Sequence, residues 1–341
     1  MSTVTAHRVT LAARPEGALT DDCFAMAEAE IDLEATPAGH VVVRIDTLSI
    51  DAFIRTTLED RAYHGSSPIG STIVALGVGT VLASAADGFA VGDRVFGPLG
   101  AQSVAVLPSV MLRVIDVSSV SATAYLGALG LTTGLTAYFG IVDVGAVGPT
   151  DTVVVSGAAG AVGSMACQIA RLTGAARVIG IAGGAEKGAY VVDELGATAS
   201  IDYRNDDVAA RLRELAPDGI DVFYDNVGGE VLDIVLDQVA ERGRIVLCGA
   251  ISQYEHMDEV RGPRNYLKLA ERHARMEGFA VTHFGAEFPR AEAALGGWLA
   301  SGELSMREHV EHGLDAFPAT LRMLLSGGHY GKLLLRVHEE N

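Results

Sequence analysis

The chain is short of cysteine and of positive charge, and each shortage narrows what it can do. Among its 341 residues only Cys23, Cys167 and Cys248 are cysteines. They are odd in number and far apart, with no CxxC, so neither a disulfide framework nor a zinc knuckle can be written, and a reducing cytoplasm is the expected compartment. Lysine and arginine total 25 against 43 aspartates and glutamates, a formal charge of −18. That balance repels a polyphosphate backbone and argues against nucleic acid as a partner. Residues 1–17 lack the unbroken apolar run of a signal peptide, being interrupted by Arg8, Arg14 and Glu16, so export is not expected. Two long uncharged stretches, 68–86 and 126–142, are punctuated by Gly, Ser and Thr and fall short of a membrane span. The first reads as holding a buried strand over 73–82, the second as a buried helix linking two domains.

Hydrophobic residues make up 49% and charged residues 20%, which excludes disordered and fibrous classes, and the length predicts about two domains. Forty glycines and ten prolines imply many tight turns. Up to about residue 117 the runs are short and β-type, as in 40–47, 77–82, 93–97 and 103–107, with turn signals at Ala86-Asp87-Gly88 and Gly97-Pro98-Leu99-Gly100. This predicts an all-β, barrel-like region. From Asp151 the rhythm becomes strand, helix, strand: strands over 152–156, 177–182, 198–202, 220–225, 244–248 and 276–281 alternate with helical runs. Six strands with crossovers predict a doubly wound parallel sheet, an α/β fold. Residues 287–337 read as two helices and a closing strand at 333–337.

The strand 152–156 runs into Gly157-Ala158-Ala159-Gly160-Ala161-Val162-Gly163, and a helix follows with Val162, Met165, Ala166, Ile169 and Ala170 on one face. Glycines here let backbone amides close on a pyrophosphate at the positive end of a helix, which predicts a dinucleotide site, although Ala159 stands where the strict fingerprint has glycine. The next strand ends in Ile181-Ala182-Gly183-Gly184-Ala185-Glu186-Lys187. Its tip is neutral, with Lys187 one turn into the helix, and Tyr203 and Arg204 end the third strand. A cation without a carboxylate at the tip favours a 2′-phosphate and therefore NADPH, with Glu186 as counterargument.

Hydride transfer also requires a group to stabilise negative charge on oxygen. The first region offers only Cys23, His7, His40 and His64, at spacings unsuited to zinc. His309 and His312, three apart on an expected helix, read as a solvated face rather than a metal site. No G-x-S-x-G, H-E-x-x-H or P-loop lysine occurs. The remaining donors are tyrosines, cofactor hydroxyls or backbone amides, and Tyr63, Tyr254 and Tyr266 fall beside Gly, Pro or Ser in expected loops.

Several segments carry a family likeness: Ser49-Ile50-Asp51-Ala52-Phe53-Ile54-Arg55, Gly134-Leu135-Thr136-Ala137-Tyr138-Phe139-Gly140, the glycine loop, Asp225-Asn226-Val227-Gly228-Gly229, Cys248-Gly249-Ala250-Ile251-Ser252-Gln253-Tyr254 and Met276-Glu277-Gly278-Phe279. Over nearly its whole length the chain resembles the medium-chain dehydrogenases/reductases, in the zinc-free branch of prostaglandin reductase (leukotriene B4 dehydrogenase), 2-alkenal reductase and curcumin reductase. The resemblance implies a GroES-like β-barrel catalytic domain (1–125 with 305–341), a Rossmann NADP-binding domain (126–304), a homodimer, and NADPH-dependent reduction of the carbon-carbon double bond of α,β-unsaturated aldehydes or ketones. Zinc-dependent relatives have Gly-His-Glu before the strand at 77–82, where this chain has Ala75 and Leu76.

By motif, the resemblance assigns the cofactor to Thr136, Gly157, Gly160, Ala161, Val162, Gly163, Gly183, Lys187, Tyr203, Asn226, Cys248, Gly249, Ile251, Ser252, Phe279, Val281 and His329. It makes Tyr63 a substrate-facing catalytic residue and leaves Tyr266 and Tyr254 as further catalytic candidates. This chain departs from the pattern at His329, where asparagine is usual beside the nicotinamide, at Gly184 in place of a small hydroxyl residue, and at Thr132 in place of methionine. Two other readings stand beside the reductase: a quinone oxidoreductase of the same superfamily and a non-catalytic NADPH-binding protein.

Overall fold

The structure is a computed structural model, and it describes residues 2–60 and 64–338. Contacts divide the chain into two units, one of residues 1–126, 308–329 and 333–341, the other of residues 127–307 and 330–332.

In the first unit, β1 (Thr3–Leu11) and β2 (Phe24–Asp32) form an antiparallel hairpin. β3 (His40–Ser49) is buried almost throughout because Val41, Val42, Val43 and Ile45 present β-branched surface to both faces. It pairs antiparallel with β4 (Gly77–Ser84) and β6 (Val104–Pro108), and β4 carries β5 (Arg94–Gly97) and then β7 (Arg113–Val114). Strands from the end of the chain complete this seven-stranded sheet, as described below. The β4 strand starts at Gly77, so the expected strand from 73 is shorter than the uncharged stretch suggested.

The second unit opens with the helical stretch expected after residue 126. It runs over 131–144 and has two wide turns, in which Leu135 N–H reaches Gly130 O and Gly145 N–H reaches Gly140 O. No helix among the described residues is long and apolar enough to cross a membrane. Then come β8 (Thr152–Ser156), β9 (Arg177–Ala182), β10 (Ala199–Asp202), β11 (Ile220–Asp225), β12 (Val239–Leu247) and β13 (Arg275–Gly278). Their order across the sheet is β10-β9-β8-β11-β12-β13 and every pair is parallel, which is the doubly wound α/β arrangement expected from the alternating rhythm. Apolar strands such as Thr152–Ser156 are buried on both faces, as parallel sheets require. The helix Ala161–Leu172 covers one face with Met165, Ala166, Ile169 and Ala170.

One expectation is corrected. Residues Glu308–His312 form a strand, β14, beside β15 (Lys332–Arg336), which in turn pairs with β3. His309 and His312 therefore lie in extended chain, where residues three apart point to opposite faces. They share no helix face, and the His309 ring N–H donates instead to Glu311 Oε1 at 2.9 Å, two residues on. Glu-His-Val-Glu-His holds a single apolar residue, so hydrophobic periodicity could not reveal the strand.

Candidate cofactor site and substrate pocket

Each of the six parallel strands ends one residue before a candidate: β8 before Gly157, β9 before Gly183, β10 before Tyr203, β11 before Asn226, β12 before Cys248 and β13 before Phe279. Parallel strands bring all these loops to one edge of the sheet, and the order reverses between β8 and β11, where such sheets bind their ligands.

The first loop is shaped by backbone contacts. Gly157 has φ +60, and a Cβ on Gly163 would stand 2.2 Å from Gly157 O and 2.8 Å from Ala158 Cα. Only glycine lets the helix start so close to the strand. Gly160 caps that helix without a side-chain hydrogen bond, so the cap leaves the N–H groups of the first turn available to an anion.

Beside it, one carboxylate organises the switch point. Asp225 Oδ1 accepts from Ser156 Oγ at 2.8 Å, Val227 N–H at 2.9 Å and Gly228 N–H at 3.0 Å. Burial pushes this carboxyl up, and the three donors oppose the shift. The Asp225 backbone carbonyl takes the N–H of Cys248 and of Gly249, while Asn226 Nδ2 donates to Ser156 O at 2.7 Å. Three loops that follow different strands are thereby fixed together. Ile251 and Ser252 join through their N–H groups to Asn226 O and Val227 O. Thr136 lies in the helical stretch, and its carbonyl accepts from Tyr224 Oη at 3.1 Å. The Cys248 thiol is pushed up to about 12 by burial first, so it stays protonated at neutral pH.

The third part of the site is cationic. A Cβ on Gly183 would meet Arg204 Nε and Tyr203 Cε1, each at 2.8 Å, so the guanidinium and the ring close over the tip of β9. Burial first, then the positive Arg204, holds the Lys187 ammonium below the usual lysine range, against the pull of Glu186. Two cations therefore converge where β9 and β10 end. Asp202, at the tip of β10, is taken up by its own turn: Oδ1 accepts Gly184 N–H at 2.7 Å and Arg204 N–H at 3.0 Å, and Oδ2 accepts Asn205 Nδ2 at 2.7 Å. Those bonds, the Asn205 one first, hold its pKa below the ordinary value. Glu186 points elsewhere, accepting the Tyr330 hydroxyl at 2.7 Å. The glycine cradle, the amide-lined switch point and the paired cations fit a dinucleotide carrying a 2′-phosphate.

The other candidates separate. Phe279 packs edge-on against Phe284 at 6.1 Å, and Val281 begins the helical segment that kinks at Phe284. Tyr254 Oη accepts Ala250 N–H at 3.2 Å, bracing its own loop, whereas Tyr266 is 56% exposed. His329 belongs to the first unit, where its buried ring meets His309 edge-on at 6.4 Å. Tyr63 lies outside the described residues. Next to it in sequence, His64 helps to line a first-unit pocket of about 340 Å³ with Phe53, Thr57, Ser66, Thr72 and Val74. His64 Nδ1 and Thr56 Oγ1 share a hydrogen bond of 2.9 Å, and burial pushes the imidazole pKa down. The Ser156–Asp225 network, the Tyr330–Glu186 bond and this pocket had no signal in the local sequence.

The matches to known proteins agree with this geometry. Residues 161–295 match the family described as zinc-binding dehydrogenase, and residues 7–115 match the N-terminal domain of oxidoreductase. The NADPH-dependent curcumin reductase of Escherichia coli is 34% identical over 97% of this chain and 96% of its own. The NADP-dependent 2-alkenal reductase of Nicotiana tabacum is 35% identical over 89% of each. The crystal structure of CurA from Vibrio vulnificus in complex with NADPH superposes with a TM-score of 0.92 at 34% identity, over 98% of this chain and 100% of that one. The chain belongs to the medium-chain dehydrogenases/reductases, in the zinc-independent branch of the curcumin, 2-alkenal and prostaglandin reductases.

The description zinc-binding raises the question of a metal, and the residues do not fit one. Ala75, where zinc-dependent relatives have their Gly-His-Glu, is buried in the apolar core of the first unit. No group of three or more His, Cys, Asp or Glu able to hold a metal ion occurs among the described residues.

Proposed function

We propose that this chain is an NADPH-dependent reductase of the carbon-carbon double bond in α,β-unsaturated aldehydes and ketones. The observation that carries the cofactor is Arg204 closing over Gly183 with its charge felt by Lys187, while Asp202 accepts from its own turn and Glu186 from Tyr330. The substrate class follows from the relatives named for curcumin and 2-alkenal, compounds in which the double bond is conjugated to a carbonyl.

NADPH, when bound, supplies a hydride to the β-carbon. The protein's task is then positional. Gly157, Gly160, Ala161, Val162 and Gly163 receive the pyrophosphate on backbone amides, and Lys187, Tyr203 and Arg204 hold the 2′-phosphate. Thr136, Asn226, Cys248, Gly249, Ile251, Ser252, Phe279 and Val281 shape the seat of the remaining ring and ribose. Asp225 fixes the three loops that carry several of these groups. The first-unit pocket is of a size for a small organic substrate. Tyr63, which precedes His64 in the sequence, is the proposed donor to the substrate oxygen or α-carbon, ahead of Tyr254, whose hydroxyl braces a loop, and Tyr266. β13 is the last strand of its sheet, and an open edge is a template for pairing, which supports a homodimer.

The test follows NADPH and, separately, NADH absorbance with trans-2-nonenal, a benzylidene ketone, a saturated ketone and a quinone. Oxidation of NADPH with the first two alone, yielding saturated carbonyls, is expected. Turnover confined to the quinone would make the chain a quinone reductase, and silence with all four despite cofactor binding would make it a binding protein.

A further inference from the structure

We propose that Tyr330 is a cofactor-specificity residue, whose phenol holds the Glu186 carboxylate and so keeps the site beside Lys187 and Arg204 cationic. The inference rests on the reading of that site as the seat of a 2′-phosphate.

Glu186 precedes Lys187 in the chain, and its charge acts on the lysine ammonium. Left to rotate, such a carboxylate would pair with the cation and repel an incoming phosphate dianion, opposing both terms on which NADPH selection depends. In the structure Glu186 Oε1 is turned to Tyr330 instead, accepting from its Oη at 2.7 Å across 144 residues of sequence.

The phenol is held in place from several sides. The Arg307 guanidinium lies 4.2 Å above its ring and the Tyr190 ring 5.4 Å away. The following residues form a strap: Gly331 N–H donates to Ala159 O at 2.8 Å and Lys332 N–H to Arg307 O at 2.7 Å. Gly331 has φ +78, and a Cβ there would stand 2.2 Å from Arg307 O, so no other residue fits the strap undistorted. Ala159 belongs to the glycine loop itself. One short peptide therefore ties that loop to the acid beside the cationic pocket. Ring packing against Arg307 and Tyr190 needs no hydroxyl, which leaves the bond to Glu186 as what tyrosine adds over phenylalanine.

The experiment titrates 2′,5′-ADP and 5′-AMP, which differ only in the 2′-phosphate, calorimetrically into the full chain, as wild type, Tyr330→Phe, Glu186→Gln and the double variant. Wild type is expected to bind 2′,5′-ADP at least about tenfold tighter than 5′-AMP. Tyr330→Phe should lose about fivefold of that preference, with 5′-AMP binding unchanged, and adding Glu186→Gln should restore it. A preference unchanged in Tyr330→Phe, or a loss that Glu186→Gln fails to rescue, overturns the role of Tyr330 while the phosphate site stands. Equal affinities in the wild type would overturn the phosphate site and this inference with it.

Discussion

The parallel sheet of the second unit sends all six strand ends to one edge, whereas the antiparallel pairs of the first unit alternate their ends between two. The consequence is a difference in building material. At the parallel edge the site is made largely of backbone: a left-handed glycine, a helix start without a side-chain cap, and amides oriented by Asp225. In the first unit the pocket is walled by side chains of the connecting segment between β3 and β4, among them Phe53, His64 and Thr72. A backbone site tolerates little change in shape, while a side-chain pocket can vary without disturbing the sheet beneath it.

The sharpest way to break this contrast is to add side-chain bulk to the backbone site. Gly163→Val, whose first carbon already overlaps Gly157 O, should cost more than about a hundredfold in NADPH affinity, measured by titration with the melting temperature followed in parallel. Normal binding in that variant would remove the glycine cradle from the account. In the first unit the comparable loss is chemical. Tyr63→Phe should lower kcat by about a hundredfold and leave the NADPH KM near its original value, the signature of a proton donor. Full turnover in Tyr63→Phe would pass that role to another group.

Between these lies Lys187→Ala, expected to raise the NADPH KM by about ten- to a hundredfold with NADH nearly unaffected. Equal losses with both cofactors would take Lys187 out of the phosphate contact. The smallest effect is a pH dependence of the first unit. His64 has its pKa held below the ordinary 6.5 by burial, so on acidification the unfolded chain takes up the proton first and the fold loses stability below about that pH. His64→Gln should flatten that part of the stability profile, read as the melting temperature against pH, and an unchanged slope would assign it to other groups.

The same contrast explains what could be read from the sequence. Strands 152–156, 177–182 and 220–225 each hold a short apolar run, 153–155, 178–182 and 222–224, so their number, order of occurrence and glycine loop stand out along the chain. Lys187 and Tyr203 could be proposed from the sequence because they follow strand ends, Tyr203 directly and Lys187 within the next helix. The hydrogen bond that links Tyr330 to Glu186 joins residues 144 apart, and the Ser156–Asp225 bond residues 69 apart, so no local pattern encodes either. The polar strand Glu308–His312 was hidden for the opposite reason, since its pairing with β15 is made by backbone while its side chains look like a solvated helix face.

The most direct test of double-bond reduction follows the hydride itself. NADPH carrying deuterium at the transferable position of its nicotinamide is supplied with an enone, and the product is analysed by NMR. The account predicts a saturated ketone with deuterium on the carbon β to the carbonyl, while an allylic alcohol with deuterium on the former carbonyl carbon would contradict it.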